Sequence, residues 1–226
     1  MKVGLVTIGQ SPRGDVVREM EEVLGEGVEV MEKGALDGLS LREVERFYPA
    51  EGERVLVTQM AGGVEVKLAK RHITPRVQRC IEELEKEQAE IIALLCTGEF
   101  EEIGSKARLL RPGEIMRDRV TEMLERGRLG VIVPAAEQIG AAKGKWDLEN
   151  IELAVRTVSP YAGTEGEFRE TAKEMRRCEV DMVVLDCMGF SGRVKEIFEA
   201  EVGKPVLWAR RVLGEALREA KRREKG

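Results

Sequence analysis

Histidine is almost missing from this chain: His72 is the only one in 226 residues. The four cysteines, Cys80, Cys96, Cys178 and Cys187, show no C-x-x-C spacing. That argues against a Cys/His zinc site, so no metal is expected, and any Cys/His/Asp triad would have to use His72. Aromatic residues make up only 4% and Asn150 is the sole asparagine, against 35% charged residues, a thermophile-like balance. Long apolar runs are also lacking: none approaches the roughly 20 residues that cross a bilayer, so no membrane association is expected. Met1-Lys2 leads straight into Val3-Gly4-Leu5-Val6, too short for the apolar core of a secretory signal. A cytoplasmic protein with free thiols is the expectation. No charge dominates, because 37 Lys and Arg face 42 Asp and Glu for a net −5, interspersed throughout. Without a basic stripe, nucleic acid is not an expected partner.

What the chain does have is a nearly unbroken alternation of strand and helix patterns, the signature of parallel α/β architecture. Strands are expected at residues 3–8, 28–31, 54–59, 129–133, 151–158 and 205–208. Two further apolar runs, Ile91-Ile92-Ala93-Leu94-Leu95-Cys96 and Met182-Val183-Val184-Leu185-Asp186-Cys187, lack in/out alternation and read as strands buried on both faces. Residues 64–70 are ambiguous between strand and helix. Ser11 reads as an N-cap with Pro12 at the first helical position. Pro75 reads as opening a helix to about residue 88, and Pro112 as opening another with Ile115, Met116, Val120, Met123 and Leu124 buried. Ser40/Glu43 and Thr164/Glu167 form capping-box patterns. Residues 104–112 show no strong period and read as a connector near a domain boundary. Aligning the two cysteine runs sets strand 3–8 opposite strand 129–133, which predicts two similar α/β lobes. A single doubly wound sheet remains the alternative.

Ligands of open α/β sheets bind beyond the carboxyl ends of the strands, where both cysteine runs end. A thiol there meets backbone N–H groups and helix N-termini, which favour the thiolate. Cys96 and Cys187 are therefore the candidate catalytic residues. Thr97-Gly98 and Met188-Gly189 would let backbone approach a small ligand closely. The loop carrying Gln10, Ser11 and Arg13 has the features of an anion site. Thr58 and Gln59 could line the same edge, with Ser159, Tyr161 and Thr164 as weaker candidates from the other half. No nucleotide-binding glycine fingerprint is present. Cys80 and Cys178 read as packing residues, and His72 as a surface or loop residue.

At these residues the chain resembles the AroM family: Thr7-Ile8-Gly9-Gln10-Ser11-Pro12-Arg13, Leu95-Cys96-Thr97-Gly98-Glu99-Phe100, Val131-Ile132-Val133-Pro134 and Leu185-Asp186-Cys187-Met188-Gly189-Phe190 all look like it, in order. Beyond that family, the paired cysteines look like the aspartate/glutamate racemase superfamily. That resemblance implies an α/β fold of two similar lobes with parallel sheets related by a pseudo-twofold axis. The lobes would be residues 1–110 with 208–226, the C-terminal helix packing back on the first lobe, and residues 111–207. It implies a site in the cleft between them, no cofactor, and Cys96 and Cys187 exchanging an α-proton on opposite faces of the substrate. The racemases usually carry Asn-Thr after the first cysteine and Thr-His after the second. Here Thr97-Gly98 and Met188-Gly189 follow, so amino-acid specificity is not carried over. Related enzymes isomerise or decarboxylate small dicarboxylates. The expectation is thus a racemase/isomerase-like enzyme acting on a small carboxylate-containing molecule. A non-catalytic carboxylate sensor in the same fold is the alternative, and a homodimer is left open.

Overall fold

The computed structural model describes residues 1–24 and 27–223. The chain is α/β and divides into two compact units: Met1–Ile115 with the segment from Arg210 onward, and Met116–Ala209.

The first unit runs β1 (Lys2–Thr7), α1 (Gly14–Leu24), β2 (Glu29–Gly34), α2 (Leu41–Val44), β3 (Val55–Gln59), β4 (Glu65–Ala69), α3 (Lys70–Lys86), β5 (Ile91–Leu94) and β6 (Arg108–Leu110). Helix α4 (Pro112–Met123) follows. The second unit holds β7 (Gly127–Val133), α5 (Ile139–Lys145), β8 (Ile151–Thr157), α6 (Glu165–Arg177), β9 (Met182–Leu185), α7 (Gly192–Val202) and β10 (Val206–Trp208). Helix α8 (Ala209–Arg223) then returns the chain to the first unit. Among the described residues there are thus eight α-helices and two parallel sheets.

The sheets share one topology. Their orders are β2-β1-β5-β6 and, read from the matching edge, β8-β7-β9-β10. The register matches too: Val3, Gly4, Leu5 and Val6 pair with Ile91 to Leu94, as Leu129, Gly130, Val131 and Ile132 pair with Met182 to Leu185. Gly4 and Gly130 therefore occupy one repeated position. A Cβ at Gly4 would lie 2.8 Å from Leu84 Cδ1 on α3, and one at Gly130 would lie 2.9 Å from Met175 Sδ on α6. In both units a glycine in the central strand lets the helix that leads into β5 or β9 press against the sheet. All four positions of β5 and of β9 are buried, as their unbroken apolar runs required. Each Ile, Leu, Val or Met among them contributes roughly 1.5–3 kcal/mol of transfer free energy.

What lacks a counterpart is the antiparallel hairpin β3–β4, Val55 pairing with Ala69 through Gln59 with Glu65. It settles Glu65–Ala69 of the ambiguous stretch as a strand, with Val66, Leu68 and Ala69 buried, while Lys70 already belongs to the next helix. Several local readings are corrected. Helix α3 begins at Lys70, not Pro75, because Lys70, Ile73, Val77, Cys80, Ile81 and Leu84 form one continuous buried stripe. Helix α4 starts at Pro112 as expected, but Met123 is exposed. Residues 108–110 of the supposed connector form β6, parallel to β5. Arg13, not Ser11, heads α1: its carbonyl accepts from the Val16 and Val17 N–H groups at 2.8 and 2.9 Å, and Pro12 stays outside the helix. Both capping boxes form; the Ser40 N–H donates to Glu43 Oε2 at 2.8 Å and the Thr164 N–H to Glu167 Oε2 at 2.7 Å. No helix among the described residues is long and apolar enough to cross a membrane.

Candidate active site

The candidate residues gather at the carboxyl ends of the parallel strands, in two half-sites built on the repeated frame. The Leu95 N–H donates to the Val6 carbonyl at 2.7 Å, and the Asp186 N–H donates to the Ile132 carbonyl at 2.9 Å. These bonds pin the ends of β5 and β9 to the central strands and fix the next residue, Cys96 or Cys187, at one position in each unit. Each sulfur then accepts the N–H of the glycine two residues on: Gly98 to Cys96 at 3.4 Å, Gly189 to Cys187 at 3.3 Å. Such a donor serves sulfur best when sulfur carries charge.

The first half-site is crowded with its own polar groups. The Ser11 N–H and hydroxyl donate to the Asp37 carboxylate at 2.7 and 2.6 Å, and the Gly34 N–H donates to it at 2.7 Å. The loop does hold an anion, and that anion is Asp37. Gln10 is a strut: its Nε2 donates to the Leu36 and Leu39 carbonyls, while its Oε1 accepts the Ala61 N–H at 2.8 Å. Arg13 is 3% exposed and forks onto Asp15 with two 2.9 Å bonds. Burial works to raise the Asp15 carboxyl, but the Arg13 hydrogen bonds and the charges of Arg13 and Arg210 outweigh it and hold it below its ordinary value. Arg210, also 3% exposed, donates to the Asp15 carbonyl and to Glu19 Oε2, both at 2.6 Å.

Hairpin β3–β4 closes on this edge. A Cβ at Gly9 would lie 2.5 Å from Thr58 Oγ1, and one at Gly98 would lie 3.2 Å from Leu56 Cδ2. Glycine is therefore required at Gly9, and Thr58–Gln59, the β1 loop and the Cys96 turn are brought together. Thr58 Oγ1 is buried with no hydrogen-bond partner. Thr97 is buried beside Cys96.

The second half-site has different neighbours. Cys187 and Met188 are buried. Asp186 is buried too, taking the Lys145 ammonium at 2.6 Å and the Trp146 indole N–H at 2.8 Å. The carboxylate next to the thiol is thus neutralised by a buried partner. The loop after β8 brings the Tyr161 hydroxyl to 4.0 Å from Cys187 Sγ. Ser159 Oγ shapes that loop by accepting the Tyr161 and Ala162 N–H groups at 3.0 and 2.9 Å. Thr164 caps α6.

The other singled-out residues lie elsewhere. His72 stands on α3 with its ring 5.5 Å from that of Phe47. Cys80 is buried in the first core, and burial, helped by Glu83 and Asp37, pushes its thiol up to about 11. Cys178 ends α6, half-buried, with Arg156 3.4 Å from its sulfur. Asp37, Lys145 and Trp146 were missed by sequence reasoning. The partners that tie them to the candidate residues, Ser11 for Asp37 and Asp186 for Lys145 and Trp146, lie 26, 41 and 40 residues away.

Residues 3–220 match the family described as AroM protein. The chain belongs to the AroM family. A comparison with curated proteins finds no match. Among solved structures this AroM chain is similar to aspartate racemase from Picrophilus torridus, with TM-score 0.62 and 14% identity over 97% of this chain and 93% of that one. It is similar to glutamate racemase from Aquifex pyrophilus, with TM-score 0.62 and 16% identity over 97% and 84%. The maleate isomerase Iso from Pseudomonas putida S16 gives TM-score 0.63 and 14% identity over 98% and 94%. The AroM chain therefore has the fold of the aspartate/glutamate racemase-like proteins.

Proposed function

We propose that this protein is a cofactor-independent racemase- or isomerase-like enzyme acting at the carbon beside a carboxylate, with Cys96 and Cys187 as its acid/base pair. The observation that carries the reading is the repetition of the thiol: same strand end, same sheet position, same glycine N–H donor to sulfur. In this reading one cysteine, as thiolate, takes the α-proton, and the C–H electron pair moves into the carboxyl group as an enediolate. The other cysteine, as thiol, delivers its proton to the opposite face and is left as the thiolate. The Gly98 and Gly189 N–H groups steady the charge on whichever sulfur is the thiolate, and Thr97 and Met188 line the same turns. Ser11 joins them when a substrate carboxylate displaces Asp37, while Gln10, Arg13, Thr58 and Gln59 shape that edge.

Incubation in deuterium oxide with a panel of amino acids and small carboxylic acids tests this. The expected result is α-deuterium incorporation that is lost in Cys96→Ala and in Cys187→Ala. Carboxylate binding without exchange, unaffected by either substitution, would make the protein a non-catalytic sensor instead.

A further inference from the structure

We infer that Tyr161 is a positioning residue for Cys187, its hydroxyl donating a hydrogen bond to the sulfur when the sulfur is a thiolate. This concerns the thiol used in the proposed function and rests on that reading for its catalytic meaning. The geometry stands within the second unit alone. The Tyr161 Oη lies 4.0 Å from Cys187 Sγ, at the long end of hydrogen bonds to sulfur. The ring is seated on the turn that carries the thiol: a Cβ at Gly189 would lie 2.6 Å from Tyr161 Cζ and 2.7 Å from its Oη. Gly189 thus has two tasks, donating its N–H to Cys187 Sγ at 3.3 Å and leaving room for the phenol.

The loop is built to hold that position. Ser159 Oγ accepts two N–H groups, and the Gly163 N–H donates to the Ser159 carbonyl at 3.0 Å. The chemistry fits, because phenols as a class release their proton at higher pH than thiols do. Tyr161 then acts as donor and the thiolate as acceptor. Asp186, next to the thiol in sequence, is paired with Lys145 at 2.6 Å. Tyr161 adds a neutral donor within reach of the sulfur.

The test is alkylation of the intact protein with iodoacetamide from about pH 6 to about pH 10, each cysteine followed by peptide mass spectrometry. Tyr161→Phe keeps the ring on Gly189 and removes only the hydroxyl. We expect Cys187 alkylation at neutral pH to slow about three- to tenfold and its profile to move up by about half to one pH unit. The Cys96 profile should superimpose on that of the unsubstituted protein, which also reports an intact fold. A Cys187 profile unchanged by Tyr161→Phe overturns the inference. Should the substitution disturb folding, Tyr161→His, which retains a ring and a donor, must keep Cys187 faster than Tyr161→Leu does; equal rates overturn it as well. Because no turnover is needed, failure of the exchange experiment leaves this result standing, and the reverse holds.

Discussion

Position by position, the two units repeat a backbone and not a set of side chains. Val6 and Ile132 accept the same hydrogen bond, yet the donor is Leu95 in one unit and Asp186 in the other. Leu95 is a buried aliphatic side chain. Asp186 draws Lys145 and Trp146 into the interior, where all three are less than a tenth exposed. The first unit spends its polar groups above the sheet, on Asp37, Gln10 and the Arg13–Asp15 fork. The second places its ion pair directly behind the thiol. The repeated frame sets where a sulfur stands, and the side chains around it set what it meets. In the proposed reaction, where one thiol is base while the other is acid, that division would serve both roles.

Replacing either thiol should have the largest effect. Cys96→Ala and Cys187→Ala are each expected to lower α-proton exchange about a thousandfold, the middle of the range for a lost general acid or base. A variant that retained exchange would show the two half-sites to be unequal in chemistry as well as in surroundings. Next, Asp186→Leu copies the first unit into the second. It leaves a buried ammonium and an unpaired indole N–H, so chemical denaturation should show a loss of about 3–5 kcal/mol. Lys145→Met combined with Asp186→Leu should recover most of it. Smaller effects are expected at the repeated glycine. Gly4→Ala meets Leu84 in a full core and should cost about 2–3 kcal/mol, whereas Gly130→Ala meets an adaptable methionine and should cost about 1 kcal/mol. Equal losses would mean that the helices are pressed equally hard. The smallest is Asp15→Asn, about 1 kcal/mol at neutral pH for a carboxylate this exposed. The folded carboxyl is depressed, so its contribution is present above the unfolded value of about 3.9 and lost as pH falls through the folded one. Melting curves of the two proteins should therefore converge below about pH 4.

The repeat was legible because it is written in buried strands. Two short apolar runs, each reaching a thiol two residues beyond its fourth position, match as buried strands, and aligning them set β1 opposite β7. Legibility failed where a distant partner overrode a local habit. Ser11 has every local mark of a helix cap, but Asp37 takes both its donors. Pro75 sits within α3 because the stripe starting at Lys70 outweighs one missing N–H. Strand β6 is a three-residue edge with Arg108 exposed, too short for a period to show. Of the site, the cysteines and their glycines could be read directly. Tyr161 was visible only as one of several polar loop residues, since its closeness to Cys187 depends on the absent side chain of Gly189.

Arg210 carries a consequence for how the protein is made. Its guanidinium completes the charge cluster on α1, yet it stands near the end of a 226-residue chain. All of Met116–Ala209 must be synthesised first, roughly 5–20 s at ordinary rates. During that interval the nascent first unit lacks α8, and Asp15, already forked by Arg13, and Glu19 are still without the Arg210 guanidinium. The second unit, continuous in sequence, has no such wait. The half of the molecule that leaves the ribosome first is the half that closes last.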